Sequence, residues 1–156
     1  MATGHHTKDK GDLAVAKVQA DLIERGATVL LPLTEHAPFD LVAYMGAEFY
    51  RVQVKYRSVS KGCVNVVFKS TWADRHGIHH RPVPMDAVDV IAIYCPATAA
   101  TYYLNRRDFR TSVNVRIEPA KNNQASNILA ASSCLAFPPA TNVAERRDPP
   151  DASNAA

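Results

Sequence analysis

Residues 39–56 read FDLVAYMGAEFYRVQVKY, and this stretch decides the fold. Two runs rich in aliphatic and aromatic residues, 39–44 and 49–56, flank Met45-Gly46-Ala47. This pattern predicts two strands joined by a tight reversal. In the second run, polar side chains at 51, 53 and 55 alternate with less polar neighbours, so we expect one apolar face and one polar face.

The segments around this hairpin predict one α/β domain. An amphipathic helix is expected over 10–25, with Gly26 as its stop. Further strands are predicted over 28–33, 64–68, 88–94, 101–104 and 113–117, and an Ala-rich closing helix over 125–136. The polar stretch 69–85, with its His and Pro residues, is predicted to be a long loop.

Length and composition indicate a single globular unit. With 156 residues and 47% hydrophobic side chains, the chain is long enough for one packed core. After Phe137 the apolar periodicity stops, so we expect an ordered domain over 1–137 and a disordered tail over 138–156. The formal charge of +3 permits a polyanionic partner without requiring one.

Cysteine spacing and hydropathy bear on the compartment. Cys63, Cys95 and Cys134 lie far apart, without the paired spacing of a zinc site or the density of a disulfide framework. They indicate a reducing interior. We find no apolar signal core and no uninterrupted apolar span, so the expectation is a cytoplasmic protein without a membrane segment.

The polar face of the second strand holds the residues that suggest chemistry. Gln53 and Lys55 point to the same side, and Asp40, at the start of the preceding strand, can lie beside them. Carboxylate and carbonyl oxygens bind a hard divalent cation, and a nearby lysine can orient or deprotonate water. The pattern predicts a centre for phosphodiester hydrolysis, with Asp40 and Gln53 as metal ligands and Asp12, on the first helix, as a further acidic ligand.

Simpler interpretations stay open at this stage. Asp40 is also an ordinary turn residue, and Asp12 is well placed for the helix dipole. Gln53 and Lys55 also suit a solvated strand face. The spacing D-x12-Q-x-K is short, so chance matches are common.

A longer resemblance favours the catalytic interpretation. The strings that carry it are HTKDKGDLAVAKVQADLIERGATVLLPLTEHAPFDLVAY, FYRVQVKYRS, VDVIAIYCP, TYYLNRRDF and VRIEPAKNNQASNILAA. Over roughly residues 6–136 the chain resembles the PD-(D/E)XK endonucleases related to intron-encoded homing endonucleases. In that group glutamine commonly occupies the middle acidic position within QVKYR, as Gln53 does here, and Lys55 matches directly. The helix there usually carries glutamate after K-G, where this chain has Asp12.

The resemblance implies a restriction-endonuclease-like αβ sandwich with a mixed central sheet flanked by helices. It also implies cleavage of double-stranded DNA with Mg²⁺, for which Mn²⁺ is a possible substitute. One small domain carries one active site, so cutting both strands implies a homodimer or homotetramer. Two alternatives are a structure-specific junction-resolving nuclease and an inactive DNA-binding protein with a nuclease fold; Gln53 and Asp12 motivate the second.

Other residues receive weaker assignments. Basic residues after the polar strand are candidates for DNA contacts, namely Arg57, Lys61, Lys69, Arg75 and Arg81, and Trp72 is either a further contact or a core residue. His76, His79 and His80 with Cys63 suggest zinc only faintly, because a second cysteine pair is missing. Glu35 and His36 are second-rank candidates near Asp40. The sequence has no serine-nucleophile elbow and no phosphate-binding glycine loop.

Overall fold

The chain forms one long helix and ten short strands in the computed structural model, which describes residues 7–119 and 129–139. The helix is α1 (Thr7–Glu24). The strands, in chain order, are β1 (Thr28–Leu30), β2 (Leu41–Met45), β3 (Glu48–Tyr56), β4 (Cys63–Val67), β5 (Lys69–Asp74), β6 (Gly77–Pro82), β7 (Val90–Cys95), β8 (Ala100–Asn105), β9 (Ser112–Arg116) and β10 (Leu129–Ala130). Two 3-10 turns, Arg106–Asp108 and Ala131–Cys134, follow β8 and β10.

Helix α1 ends where the sequence predicts. The amide of Gly26 donates to the Ile23 carbonyl at 2.9 Å, and the amide of Ala27 donates to the Leu22 carbonyl at 3.0 Å. These two bonds, with Gly26 at φ +88°, form a Schellman cap, which favours glycine because a Cβ disfavours the left-handed conformation. The face that packs inward carries Ala14, Val18 and Leu22.

The central sheet has the strand order β1-β2-β3-β7-β8. Strands β3 and β7 pair in parallel, whereas the other neighbours pair antiparallel, so the sheet is mixed. Gly46 and Ala47 form the turn between β2 and β3, and both have positive φ, as a two-residue hairpin turn with the correct twist requires. The predicted hairpin over 39–56 is confirmed.

Two cores lie on opposite faces of the central sheet. On one face α1 packs against side chains such as Leu41 and Val52. On the other face Ile91 and Ile93 pack with Val64 and Val115 from a second sheet, which has the order β10-β9-β4. Strand β3 contributes to the helix-side core through its even-numbered residues, so its odd-numbered side chains face the opposite side.

The predicted loop over 69–85 is wrong for most of its length. Strands β5 and β6 form a two-stranded antiparallel sheet that runs from the pair Lys69 and Pro82 to the pair Asp74 and Gly77. Polar residues and histidines concealed the strands, because β6 is exposed along nearly its whole length and therefore shows no hydrophobic alternation. Only the end of the predicted loop, after Pro82, lacks regular structure.

The predicted closing helix over 125–136 is also wrong where the structure describes it. Leu129 and Ala130 pair with β9, and residues 131–134 form a 3-10 turn whose Ala131 and Cys134 are buried. Here strand pairing and burial outweigh the helical propensity of alanine. Residues 125–128 lie outside the described residues, as do 140–156 of the predicted tail.

The fold class is confirmed as α/β with a mixed sheet, but the flanking layers differ from the prediction. In the described ranges, one α-helix covers one face of the central sheet and a second sheet covers part of the other. No helix among the described residues is both long and apolar enough to cross a membrane.

Candidate active site

Gln53 and Lys55 lie on one face of β3, and Asp40 lies beside this strand, just before β2. The antiparallel ladder ends at the pair Leu41 and Val52, and the Asp40 amide also donates to the Val52 carbonyl, so Asp40 lies immediately before β2 and against β3. Lys55 lies two residues after Gln53 along β3 and points to the same side as Gln53. The structure thus places Asp40 against β3, close enough to Lys55 for the lysine charge to act on its pKa, while the grouping of all three residues as one site and their chemical roles stay predictions.

Two hydrogen bonds fix Asp40 against the neighbouring strand. Its backbone amide donates to the Val52 carbonyl at 2.9 Å, and its carboxylate Oδ2 accepts from the Val54 amide at 2.6 Å. Protein packed around the inner side of this solvent-accessible carboxylate desolvates it and raises its pKa above the ordinary 3.8; the Val54 amide and the Lys55 charge act in the opposite direction. Asp40 is therefore a positioned carboxylate at the open edge of the site.

Gln53 has a buried oxygen without a hydrogen-bond partner. The residue is only 7% exposed, and its Nε2 donates to the Pro38 carbonyl at 3.4 Å. Its Oε1 is buried and accepts no hydrogen bond. Buried polar atoms are nearly always satisfied in folded proteins, so an orphaned acceptor needs an explanation. A cation bound between this oxygen and the Asp40 carboxylate would supply that explanation, because hard divalent cations prefer carbonyl and carboxylate oxygens.

Lys55 lies partly buried beside these oxygens. Its Nζ donates to the Lys69 carbonyl at 3.3 Å. Desolvation lowers its pKa from the ordinary 10.5, with a further decrease from the positive charge of Arg57, and the Asp40 carboxylate partly opposes both. A lysine with a lowered pKa holds its proton less tightly, which suits a group that exchanges a proton with water.

Asp12 is not drawn into this group by any contact that the structure gives. It lies exposed on α1, off the row of Ala14, Val18 and Leu22 that packs inward. Within residues 7–119 and 129–139, no three side chains of the His, Cys, Asp or Glu types form a group that could hold a metal ion. The zinc alternative therefore gains no support, and a role for Asp12 stays a prediction.

The basic candidates for DNA contact lie after β3 and on the β5–β6 hairpin. Arg57 is partly buried, and its Nη1 donates to the Tyr56 carbonyl at 2.9 Å, while burial lowers its pKa. The other four are exposed, namely Lys61, Lys69, Arg75 and Arg81. For Trp72 the structure gives the backbone pairing only, so the choice between contact and core stays open.

Two features of this region were not predicted from the sequence. A cleft of about 600 Å³ opens beside Pro38 and is lined by Glu35, His36 and Arg81, which come from distant parts of the chain. Arg106 is only 2% exposed, and its guanidinium donates to the Val83 and Phe109 carbonyls. The cleft had a faint signal in Glu35 and His36, whereas Arg106 had none, because Asn105-Arg106-Arg107-Asp108 has the composition of a surface turn.

Comparisons with known proteins agree with this geometry. A family model described as PD-(D/E)XK endonuclease matches residues 5–136. Among solved structures, the bacterial homing endonuclease I-Ssp6803I superposes with a TM-score of 0.63 at 23% identity, covering 78% of this chain and 84% of that one. The Holliday junction resolvase Hjc from Archaeoglobus fulgidus has a TM-score of 0.46 at 13% identity, covering 69% of this chain and 84% of that one.

A search of curated proteins gave no match. The match to I-Ssp6803I shows a shared fold, and a sequence identity of 23% carries no residue roles by itself. The family model, in contrast, spans α1, the β2–β3 hairpin and all three sheets of the described residues. The chain belongs to the PD-(D/E)XK endonuclease family.

Proposed function

We propose that this endonuclease hydrolyses phosphodiester bonds in duplex DNA with a divalent cation held by Asp40 and Gln53, and with Lys55 at the attacking water. The observation that carries the proposal is the buried Oε1 of Gln53, which accepts no hydrogen bond and belongs to the face of β3 that also carries Lys55, next to the Val54 amide that donates to Asp40. An amide oxygen in that position is explained by a ligand role and poorly explained by packing alone.

Asp40 and Gln53 have different roles in holding the cation. Asp40 supplies negative charge, and because the Val54 amide occupies Oδ2, we assign Oδ1 to the cation. Gln53 is oriented by its bond to the Pro38 carbonyl, which directs Nε2 away and leaves Oε1 for the ligand role. When bound, the cation would neutralise charge on the phosphate and lower the pKa of coordinated water. We propose Mg²⁺ as the ion, with Mn²⁺ as a substitute.

Lys55 is assigned to the water and the phosphate. Its bond to the Lys69 carbonyl holds the ammonium at the site, and its lowered pKa increases the fraction of neutral amine, which is the form that can take a proton from the attacking water. In the protonated form it also stabilises negative charge that develops on the phosphate. We keep Asp12 as a proposed further acidic ligand because of its place directly after Lys10-Gly11 in the sequence, with a bound water molecule between it and the cation.

The DNA surface is proposed to follow the chain from Arg57 to Arg81. Exposed Lys61 and the charges of the β5–β6 hairpin lie in this segment, directly after the catalytic strand. Lysine and arginine side chains bind phosphates and release counterions, so binding is expected to weaken steeply with salt. Neutralising Lys61 and Arg81 together should reduce the slope of log affinity against log salt by about two.

The assembly is proposed to be a homodimer or homotetramer in the cytoplasm. Each chain carries one site of this type, and hydrolysis of both strands requires two. The spacing of the three cysteines, none of which is disulfide-bonded, supports a reducing compartment. The fold similarity to a homing endonuclease supports duplex DNA as the substrate class.

The test is cleavage of plasmid and linear duplex DNA with Mg²⁺ or EDTA, using wild type, Asp40→Ala and Lys55→Ala. A matched control is Glu24→Gln, an exposed residue at the far end of α1. Metal-dependent cutting that only the two site variants abolish, with DNA binding retained, supports the proposal. Cutting restricted to four-way junctions would favour the junction-resolving alternative, and tight binding without any cutting would favour an inactive DNA-binding protein.

A further inference from the structure

The β5–β6 hairpin forms a sheet of its own. Six consecutive residue pairs join its strands, from Lys69 and Pro82 at the base to Asp74 and Gly77 at the tip. Six residues of strand span about 20 Å. All residues from Asp74 to Ile78 are exposed, and the apolar side chain of Ile78 is 71% exposed. The hairpin is therefore a ribbon with a solvated tip.

The base of the hairpin is fixed in the core. Phe68 and Val83 flank the two strands and are each 3% exposed, and the Val83 amide donates to the Phe68 carbonyl at 3.0 Å. Arg106 reinforces this junction, because its Nη2 donates to the Val83 carbonyl at 2.7 Å and its guanidinium lies 4.6 Å from the centre of the Phe68 ring. The ribbon thus leaves the domain in a defined direction.

The same base touches the candidate active site. Lys55 donates to the Lys69 carbonyl at 3.3 Å, at the first residue of β5. On the other strand, Arg81 lines the cleft that also includes Pro38, whose carbonyl accepts from Gln53. Both strands therefore begin or end beside the groups that would act on the phosphate, so DNA at this site lies against the hairpin as well.

The tip has a fixed shape and mixed chemistry. The Asp74 carboxylate accepts from the His76 amide at 2.7 Å, and Arg75 Nε donates to the His76 ring at 2.9 Å. Residues 69–82 contain Lys69, Arg75 and Arg81 and three histidines against a single acid. Arginine and imidazole groups recognise base edges, and an exposed aliphatic side chain such as Ile78 suits the methyl group of thymine.

We propose that the β5–β6 hairpin enters the major groove beside the scissile phosphate and reads base edges with Arg75, His76 and Ile78, thereby setting the sequence preference of this nuclease. The major groove admits a two-stranded β-ribbon, whereas phosphate contacts carry no sequence information. This inference rests on the proposed function and adds the element that selects the target. A ribbon of about 20 Å reaches about six base pairs from the cut.

The experiment selects duplexes from a random-sequence library in two ways. In Mg²⁺ the ends of cleaved molecules are sequenced, and in Ca²⁺ bound molecules are recovered and sequenced. The proteins are wild type, Arg75→Ala with Ile78→Ala, and the control Arg107→Ala. Arg107 is an exposed arginine on the turn after β8, and it lines a separate cleft with Glu48 and Asp89. Thermal unfolding verifies that each variant is folded.

The wild type is expected to show a base preference within about six base pairs of the cut. In the double variant, the enrichment of the preferred bases over the others is expected to fall by about tenfold or more. The control should keep it. Loss of binding to all sequences equally would mean that the hairpin contacts phosphates only, and would overturn the inference, as would an unchanged preference in the double variant. The Ca²⁺ selection measures reading without cutting, so absence of cleavage refutes the proposed function separately from this inference.

Discussion

The Asp40 carboxylate accepts a hydrogen bond of 2.6 Å from the amide of Val54, the residue that lies between Gln53 and Lys55 on β3. Because successive side chains alternate along a strand, this amide lies between the two side chains assigned to the site. One backbone group therefore couples the position of the acid to the strand that carries the amide and the ammonium.

The substitution Asp40→Asn separates this structural bond from the negative charge. The asparagine oxygen still accepts from Val54, so we expect a melting temperature close to that of the wild type. Cleavage should fall by about a hundredfold or more, because a charged ligand of the cation is lost. Plasmid nicking and thermal unfolding measured on the same preparation check this. Cleavage at the wild-type rate would refute a ligand role.

A pair of substitutions at Gln53 tests its orphaned oxygen. Gln53→Met keeps a similar volume and removes Oε1, so we expect unchanged or higher stability without metal and weaker stabilisation by Mg²⁺. Gln53→Glu places a carboxylate in a position that is only 7% exposed, beside Asp40. Without metal it should unfold at a lower temperature, and divalent cations should restore more stability than in the wild type. Equal responses of both variants to Mg²⁺ would contradict the assignment.

Asp40 predicts a pH dependence of cation binding. Desolvation raises its pKa above 3.8, so the carboxyl takes up a proton at a higher pH in the folded protein than in the unfolded chain. Cation affinity should decrease as the pH falls through this raised value. In the absence of metal the native state binds more protons in that window, and the stability contribution of Asp40 therefore declines as the pH rises through it.

Calorimetric titration with Ca²⁺ from neutral pH down to about pH 4 measures this effect. The wild type should bind ever more weakly and release protons on binding. The Asp40→Asn variant should bind Ca²⁺ weakly at every pH in this range, so its affinity should not change with pH. A wild-type profile as flat as that of the variant would exclude Asp40 as the titrating ligand.

Lys55 predicts an effect on stability at alkaline pH. Its pKa is lowered by desolvation and by Arg57, so the unfolded state binds more protons between the folded pKa and 10.5. The resulting penalty is fully present below the folded pKa and disappears as the pH rises toward 10.5. Lys55→Met should be inactive and more stable than the wild type at neutral pH, with a smaller difference near pH 10. Urea unfolding at both pH values checks the sign.

Arg106 predicts a large structural effect away from the chemistry. Its replacement by methionine leaves the Val83 and Phe109 carbonyls without their guanidinium donor and removes the contact with the Phe68 ring. We expect a loss of roughly 2–4 kcal/mol in the free energy of unfolding. Arg106→Lys should recover part of it, since one ammonium reaches fewer acceptors. Equilibrium denaturation gives both values, and a loss below that of an exposed control such as Arg107→Met would refute this role.

Elements whose conformation is favoured by their own residues could be predicted from the sequence. The cap at Gly26 and the turn at Gly46 have backbone conformations that their residues favour, and both were predicted. The alternation in β3 predicted which side chains share the active face. Because a two-residue turn fixes the register of β2 against β3, the position of Asp40 beside β3 could also be expected from the sequence.

Features that depend on contacts between distant segments were not predictable in the same way. Strand β6 is exposed along nearly its whole length, so hydrophobic periodicity gave no signal for it. The pairing of Leu129 with β9 overrode a helical composition. The orphaned oxygen of Gln53 became visible only once Pro38 was found at its Nε2, because satisfaction of a buried group is a property of its surroundings.

The two ends of the β5–β6 hairpin meet at the bond between the Val83 amide and the Phe68 carbonyl, within the core. A segment whose entry and exit are adjacent and buried is an exchangeable module for protein engineering. We expect ribbons of other sequences and lengths to be tolerated between Phe68 and Val83 when the backbone carbonyl that accepts from Lys55 is kept. Under the reading role proposed for the hairpin, the target preference would then be changed by replacing one contiguous stretch of the gene.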